Sequence, residues 1–357
     1  MKKLLLYSGL FAFGLSIQAQ QDPQYTQFMF NKQLYNPATV GFTGNHCVNL
    51  LVRSQYGNFN DQTYTLNTAA NGNTEIYGKR GSRTATFSYG APLPFAITPN
   101  QKPKKFQGGL GASFFTDRVG YFTSTVFKLD AGIRKELDMN QTIGLGLNVG
   151  AMQRVLDFAG FLPKDPGDPL ISTITNGTSS MKPTIGLGAW YQNSGFRNLS
   201  LGYSIQNINR PKFSYQGVLN DQQGVHHYLN AGAEFQLNGD IELLPFLMVK
   251  ASQASGFFAN PDINLAAFAR YRQNISAGIA LRSSFRTFES ASIIIGYNVN
   301  PALRIGYSFD FNATQLRLNN SNTHEFVLNY CFELQIKERP VIRLDDPFHL
   351  GKSPEQE

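Results

Sequence analysis

The chain has few residues whose types and spacing could carry out chemistry. Its five histidines are scattered: His46, His226, His227, His324 and His349. None forms an HxxxH or HExxH pair, and adjacent residues such as 226 and 227 point to opposite faces of a strand, which suits one metal ion badly. The glycine-rich run 144–150 lacks the spacing of a dinucleotide-binding loop. We therefore predict no catalytic residue, no metal site and no cofactor, and we expect the protein not to be an enzyme.

Eight charged residues occupy alternate positions in segments with the periodicity of strands. They are Arg53, Lys128, Asp130, Arg134, Arg282, Arg304, Asp310 and Glu325. Because successive side chains of a strand point to opposite faces, all eight would face the interior of a barrel. They could form a salt-bridge network that fills and stiffens the barrel, or they could line a polar passage or the seat of an inserted segment.

The two cysteines lie at opposite ends of the periodic region. Cys47 lies at the start of the first predicted strand, and Cys331 lies at the end of the last. Those strands are neighbours at the seam of a closed barrel, and both ends face the oxidising periplasm. A seam disulfide is therefore geometrically possible. The alternative is a pair of small buried residues that are out of register with one another.

The elements that must position these residues are strands, because period-two alternation over about ten residues dominates the chain. In the clearest segment, Leu303–Asn312, apolar side chains alternate with polar residues or Gly, as outer-membrane strands require. Residues 62–70 also alternate, so the second strand is open to two interpretations. We count about fourteen segments, which begin near His46, Arg83, Gln107, Thr123, Gln141, Lys182, Arg197, His226, Glu242, Asn260, Asn274, Ser290, Pro301 and Asn322.

Connection lengths predict which side of the membrane each turn occupies. Short turns follow every second strand, at residues 138–140, 193–195, 237–240, 272–273 and 299–300. Short turns belong on the periplasmic side, so both termini are predicted to be periplasmic. The stretch 93–106 breaks this rule, since it is long for a periplasmic turn.

The N-terminus and the composition favour an exported membrane barrel. Lys2 and Lys3 precede an apolar run and Ala19, which predicts a signal peptide over 1–19 that is cleaved near Ala19. No later segment offers about 18 uninterrupted apolar residues, so a membrane protein of this composition must be a closed β-barrel. The 29 Phe and 16 Tyr, together with 33 Gly and only 15% charged residues, suit a membrane barrel with aromatic girdles. The formal charge of +7 is not clustered, which argues against nucleic acid.

These patterns predict an all-β fold: a transmembrane antiparallel β-barrel of about 14 strands in the cell outer membrane. Residues 1–19 form the signal peptide, 20–45 an N-terminal segment in the lumen or periplasmic mouth, 46–332 the barrel and 333–357 a periplasmic C-terminal tail. We interpret the tail as a docking segment, with a disordered tail as the alternative. A soluble secreted β-sandwich is a weaker reading of the same strands.

A motif directly behind the signal peptide carries a family resemblance. It comprises Asp22, Pro23, Gln24, Tyr25, Gln27, Phe28, Met29, Phe30 and Asn31, followed by Asn36, Pro37 and Ala38. It closely resembles the mature N-terminus of the PorP/SprF family of the type IX secretion and gliding motility machinery. The segments 53–56, 109–111, 245–250 and 323–326 resemble further family segments, although Tyr56 stands where Trp is usual and Thr323 replaces Ser.

The resemblance implies a non-enzymatic outer-membrane protein that serves type IX secretion. It would help to export or anchor an adhesin-like surface protein with a type B C-terminal domain, or couple to the periplasmic secretion ring. The implied partners are type IX components in the periplasm and outer membrane, the secreted surface protein and outer-membrane lipid. A passive channel for small solutes is the alternative. We expect Tyr25, Phe28, Met29 and Phe30 to pack into the lumen or its mouth, because so aromatic a segment is not left in water.

Overall fold

The protein is described by a computed structural model that covers most of the predicted barrel. The described residues are 22–55, 63–68, 72–77, 82–93, 106–156, 178–215, 219–253, 259–284, 287–314 and 322–333. The predicted signal peptide, the tail beyond residue 333 and the connection 94–105 lie outside them. Among the described residues, no helix has both the length and the apolar character needed to cross a membrane.

Fourteen antiparallel strands form a closed ring in which each strand pairs with the next and the last pairs with the first. Closure leaves no strand edge unpaired in lipid. The predicted transmembrane barrel of about fourteen strands is confirmed. The strands are β1 (His46–Gln55), β2 (Ser82–Leu93), β3 (Phe106–Val119), β4 (Phe122–Glu136), β5 (Gln141–Leu156), β6 (Thr178–Asn193), β7 (Leu199–Gln206), β8 (Val225–Gly232), β9 (Ile241–Gln253), β10 (Ala259–Tyr271), β11 (Ile275–Ser284), β12 (Phe288–Asn298), β13 (Leu303–Asn312) and β14 (Thr323–Phe332).

The observed strands begin close to the predicted positions. The largest difference is at β6, which begins at Thr178 rather than near Lys182. The open question of the second strand is settled by pairing, because Thr63–Thr68 pairs with Gly72–Tyr77 in a separate hairpin. β2 pairs with β1 and is therefore the second strand of the barrel.

Alternation along each strand separates a lipid face from a lumen face. On β4, Phe127, Leu129 and Ile133 are exposed, whereas Lys128 and Asp130 are buried. A soluble protein would bury the apolar set instead, so this arrangement fits an apolar solvent outside the barrel.

Four of the short turns share one local device. Asp138, Asn193, Asn238 and Asn300 each accept hydrogen bonds from backbone N–H groups two and three residues further along the chain. The side-chain oxygen thereby replaces a backbone acceptor and closes a tight turn. These turns lie at the same end of the barrel as the start of β1 and the end of β14, which is the periplasmic end because short turns face the periplasm. The first described residue, Asp22, lies instead near the outer ends of the strands that it contacts, so the described chain does not begin at the periplasmic end as predicted.

Two segments fill the lumen. Residues Asp22–Asn45, which we name the plug segment, run from the outer half of the lumen to the periplasmic rim, where β1 begins. A two-stranded hairpin between β7 and β8, named the outer hairpin, consists of Lys212–Tyr215 and Leu219–Gln222. Its Phe213 and Tyr215 pack against lumen-facing side chains of β3, β4 and β5.

Candidate functional site: the plug segment and the lumen wall

The plug segment folds as three single turns of 3-10 helix: Phe28–Phe30, Lys32–Leu34 and Pro37–Thr39. Asn36 organises the third turn, because its Oδ1 accepts a hydrogen bond of 3.0 Å from the N–H of Ala38. Pro37 suits the first position of the turn, where a missing N–H costs nothing. The Asn36 amide also donates 2.9 Å to the carbonyl of Ala189 on β6. The Asn-Pro-Ala motif therefore shapes the segment and ties it to the wall.

A buried charge cluster holds the outer part of the plug segment. Arg53 on β1 forms ion pairs of 2.8 Å with Asp310 on β13 and 2.9 Å with Glu325 on β14. The Thr26 hydroxyl donates 2.8 Å to Asp310, and the Glu325 carboxylate accepts the backbone N–H groups of Thr26 at 3.0 Å and Gln27 at 2.7 Å.

Arg282 on β11 completes this cluster. Its Nη1 lies 4.0 Å from Asp310 Oδ2, and its Nη2 donates 3.2 Å to the Thr26 hydroxyl. Two guanidinium groups therefore face two carboxylates, and the formal charges of the cluster balance. Charge balance and direct hydrogen bonds make the burial of four ionised groups tolerable.

Asp22 anchors the beginning of the plug segment near the outer ends of β8 and β9. Its carboxylate accepts hydrogen bonds of 2.8 Å from the Tyr228 hydroxyl and 2.9 Å from the Gln223 amide. Its backbone carbonyl accepts from Lys250, and its backbone N–H donates 3.3 Å to His226. Every polar group of this residue thereby has a hydrogen-bond partner, on β8, on β9 or at Gln223 between the outer hairpin and β8.

The middle of the plug segment bonds to β4. Gln33 donates 2.9 Å to Asp130, whose other lumen contacts include the Ser113 hydroxyl at 3.3 Å. The ammonium group of Lys128 donates 3.5 Å to the backbone carbonyl of Leu34 and 3.2 Å to Gln206. Asp130 and Lys128 therefore bind the plug segment directly and do not line an open passage.

Other residues of the motif also reach the wall. Gln24 donates 2.8 Å to Asp262, and Asn31 accepts 2.8 Å from Ser88. Pro23 is half-buried.

The apolar side chains of the plug segment form a core with the lumen wall. Tyr25, Phe28, Met29 and Tyr35 are buried in this cluster, and Phe30 packs at its edge. Rings meet at centroid distances of 5.3 Å for Tyr35 with Tyr228 and 5.6 Å for Phe30 with Phe268. The wall contributes Leu51, Tyr228, Met248, Ala266, Phe268, Ala280, Ile294 and Val327.

Glycines in the wall let the backbone of the plug segment approach closely. A Cβ atom at Gly146 would lie 2.3 Å from the backbone N of Ala38, and one at Gly109 would lie 2.2 Å from the carbonyl oxygen of Val40. Neither backbone atom can move aside as a flexible side chain would. The glycine-rich run 144–150 is thus part of the groove in which the plug segment lies.

The periplasmic rim holds the remaining predicted charges. Arg134 donates 2.9 Å to the carbonyl of Gly41 and 2.7 Å to Gln107. Arg304 lies over the ring of Phe30, 3.8 Å from its centroid. Lys32 lies 5.0 Å from the centroid of Trp190, and burial lowers the pKa of its ammonium group to about 8.

The two cysteines meet at the seam. Cys47 and Cys331 are directly paired in the register of β1 and β14, and their sulfur atoms lie 2.14 Å apart as a disulfide. The structure thus brings together the residues of the predicted seam, and mass spectrometry under non-reducing conditions remains the chemical test.

Several residues of the site are not apparent from the alternation pattern. Thr26, Gln33 and Gln206 carry no charge, and Met248, Phe268 and Ile294 are apolar residues on a face expected to be polar. A signal for the last was present, since Ile293, Ile294 and Ile295 form an unbroken apolar run. Such a run indicates a strand that is covered on both faces. Among the described residues, no group of three or more His, Cys, Asp or Glu side chains could hold a metal ion.

Comparison with solved structures finds outer-membrane barrels of low sequence identity. The Pseudomonas aeruginosa FadL homologue is 14% identical over 88% of this chain and 96% of its own, with a TM-score of 0.47. The Ralstonia pickettii toluene transporter TbuX is 12% identical over 85% and 93%, with a TM-score of 0.46. The translocator domain of the autotransporter NalP from Neisseria meningitidis is 10% identical over 81% and 88%, with a TM-score of 0.41. Likeness at this level says nothing about function.

Comparison with protein families is decisive, whereas a search of the curated proteins finds no match. The model of the type IX secretion system membrane protein PorP/SprF matches residues 17–330, which include the whole plug segment and all but the last two residues of β14. The chain therefore belongs to the PorP/SprF family and is an outer-membrane component of type IX secretion.

Proposed function

We propose that this protein is a plugged barrel that helps to export or anchor one adhesin-like surface protein with a type B C-terminal domain, or that couples the outer membrane to the periplasmic secretion ring. The observation that carries the proposal is the bonding of the plug segment to the wall. Its residues bond to β1, β13 and β14 at Thr26 and Gln27, to β4 at Gln33, and to β6 at Asn36.

A lumen filled in this way favours a role in docking secretion partners over a role in transporting small solutes. Passage of a solute requires displacement of a segment whose charged contacts are buried on several strands, and breaking such contacts is costly. The outer hairpin covers a further part of the lumen. In this proposal, a surface protein docks at the outer end of the barrel and secretion components dock at the periplasmic end.

A clean deletion strain tests the proposal. We would compare its surface and secreted proteomes with those of the parent and of the strain complemented with the intact gene. Loss of one large adhesin identifies a dedicated anchor, and loss of all type IX cargo identifies a part of the core machinery. An unchanged proteome contradicts both forms of the proposal.

Planar-bilayer conductance separates the proposal from the passive channel. We expect the purified protein to show little steady conductance, because its lumen holds the plug segment. A steady open pore in the unmodified protein, together with an unchanged proteome in the deletion strain, favours transport of small solutes instead.

A further inference from the structure

The periplasmic mouth contains a cavity of about 400 Å³ that the proposed function does not use. It lies between the plug segment, the seam of β1 and β14, and the turn between β12 and β13. Its charged and aromatic lining consists of Lys32, Arg304, Phe30, Phe42 and Trp190, and both cysteines of the seam also border it.

The cavity holds two cations that lack an acidic partner. Elsewhere in the lumen, Arg53 pairs with Asp310 and Glu325, and Arg154 pairs with Asp221. Within the described part of the chain, no carboxylate lies at ion-pair distance from Lys32 or Arg304. Among the described residues, their charges are compensated by aromatic rings and by the bond of 2.9 Å from Arg304 to Ser276. A carboxylate-bearing ligand would complete this site.

Aromatic and apolar groups flank the cations. Phe30 and Phe42 are partly exposed, and Trp190, Met29 and Leu303 also border the cavity. A ligand that carries carboxylates next to an aromatic side chain would therefore satisfy both parts of the lining. This combination describes a short acidic and aromatic peptide.

We propose that the cavity binds the chain's own C-terminal tail through Asp345, Asp346 and Phe348. β14 ends at Phe332, whose ring stacks on His46 at 5.6 Å, and Cys331 borders the cavity, so the tail leaves the barrel at the rim of the site. Residues 333–357 contain four Lys or Arg and six Asp or Glu, a net charge of 4 − 6 = −2. The sequence Asp345-Asp346-Pro347-Phe348 supplies adjacent carboxylates and an aromatic ring.

Tethering favours this occupant over a free peptide. The 13 residues from Phe332 to Asp345 can span roughly 43 Å, which is ample to return to the mouth. A short flexible tether gives its ligand an effective concentration on the order of 1 mM at the site. A weak contact is therefore enough to keep the site occupied. A periplasmic partner would then have to displace the tail from the mouth.

Trp190 makes the proposal measurable, because it is the only tryptophan of the chain and borders the cavity. We would measure acrylamide quenching of its fluorescence in the full-length protein and in the Asp345→Asn/Asp346→Asn variant. The ring is buried by the wall and the plug segment and borders the cavity. We expect quenching to rise in the variant, because release of the tail opens that cavity to acrylamide. The variant Glu355→Gln/Glu357→Gln removes the same charge from the same tail and should quench like the parent.

Photo-crosslinking gives a second readout that does not depend on Trp190. With p-benzoylphenylalanine in place of Phe348, we expect crosslinks to residues of the cavity that are lost in Arg304→Gln and Lys32→Gln. Equal quenching in the parent and both tail variants, or crosslinks only to sites outside the cavity, overturns the proposal. If the parent and both tail variants are quenched equally and Phe348 crosslinks to a co-purified protein, the tail binds a partner, and the proposal is overturned.

Discussion

At the scale of single residues, the Thr26 hydroxyl contacts three charged side chains at once. It donates to Asp310 and accepts from Arg53 and Arg282. A residue with no charge of its own thereby joins the balanced cluster to the plug segment. Retention of the plug segment and stability of the wall should consequently respond to the same substitutions.

Arg53→Gln should destabilise the protein strongly. The substitution leaves the buried carboxylates of Asp310 and Glu325 facing Arg282 alone, and loss of one partner of a buried ion pair costs about 3–5 kcal/mol. We expect the variant to unfold at a lower midpoint concentration of denaturant, with unfolding measured by heat-modifiable gel mobility. We also expect faster proteolysis within residues 22–45.

The matched control is Arg272→Gln. Arg272 pairs with Asp240 at 3.0 Å, but both side chains are more than half exposed, and exposed pairs contribute about 0–1 kcal/mol. Equal midpoints for the two variants would show that the buried cluster does not hold the plug segment.

At the scale of elements, the plug segment and the outer hairpin are linked through two side chains. Arg154 on β5 pairs with Asp221 of the hairpin and bonds to Gln223, and Gln223 donates 2.9 Å to Asp22. Arg154 also lies over Phe213, 4.7 Å from its ring centroid. Movement of either element therefore breaks contacts of the other.

Arg154→Met should loosen both elements. Loss of the guanidinium group leaves Asp221 unpaired and Gln223 less constrained, so we expect faster hydrogen exchange in peptides covering residues 212–223 and residues 22–27. Mass spectrometry of exchange in detergent provides the measurement. Lys212→Met, at an exposed position on the same hairpin, should leave both regions unchanged. Faster exchange in the hairpin alone would contradict the link to the plug segment.

At the scale of the whole molecule, the seam joins the two ends of the barrel. β1 and β14 are separated by almost the whole sequence, and their pairing closes the ring. The disulfide spans 284 residues, so it would restrict the unfolded chain as well as reinforce the seam. In the chain-entropy account, long loops give the larger stabilisation.

Cys47→Ser/Cys331→Ser should fold but unfold more readily. The backbone pairs of the seam remain, whereas loss of a disulfide typically costs about 2–5 kcal/mol. We expect a lower unfolding temperature by gel mobility, and the parent treated with reductant should match the variant. Two free thiols in the native protein, found by mass spectrometry under non-reducing conditions, would contradict the disulfide between Cys47 and Cys331.

The sequence by itself determined the architecture and the family of this protein. Alternation assigns each residue of β4 or β13 to the lipid face or the lumen face, because the side-chain period of a strand is two. Turn residues and connection lengths supply the number of strands, and lipid excludes an open sheet. The N-terminal motif supplies the family, whose model matches residues 17–330.

Only the tertiary structure decided what meets inside the lumen. Alternation is unchanged when a strand shifts by two residues, so it cannot predict that Cys47 faces Cys331 or that Arg53 faces Glu325. The contacts of Thr26 with Glu325 and Asp310 join residues almost three hundred positions apart. Their geometry depends on closure of the whole ring, which no local pattern contains.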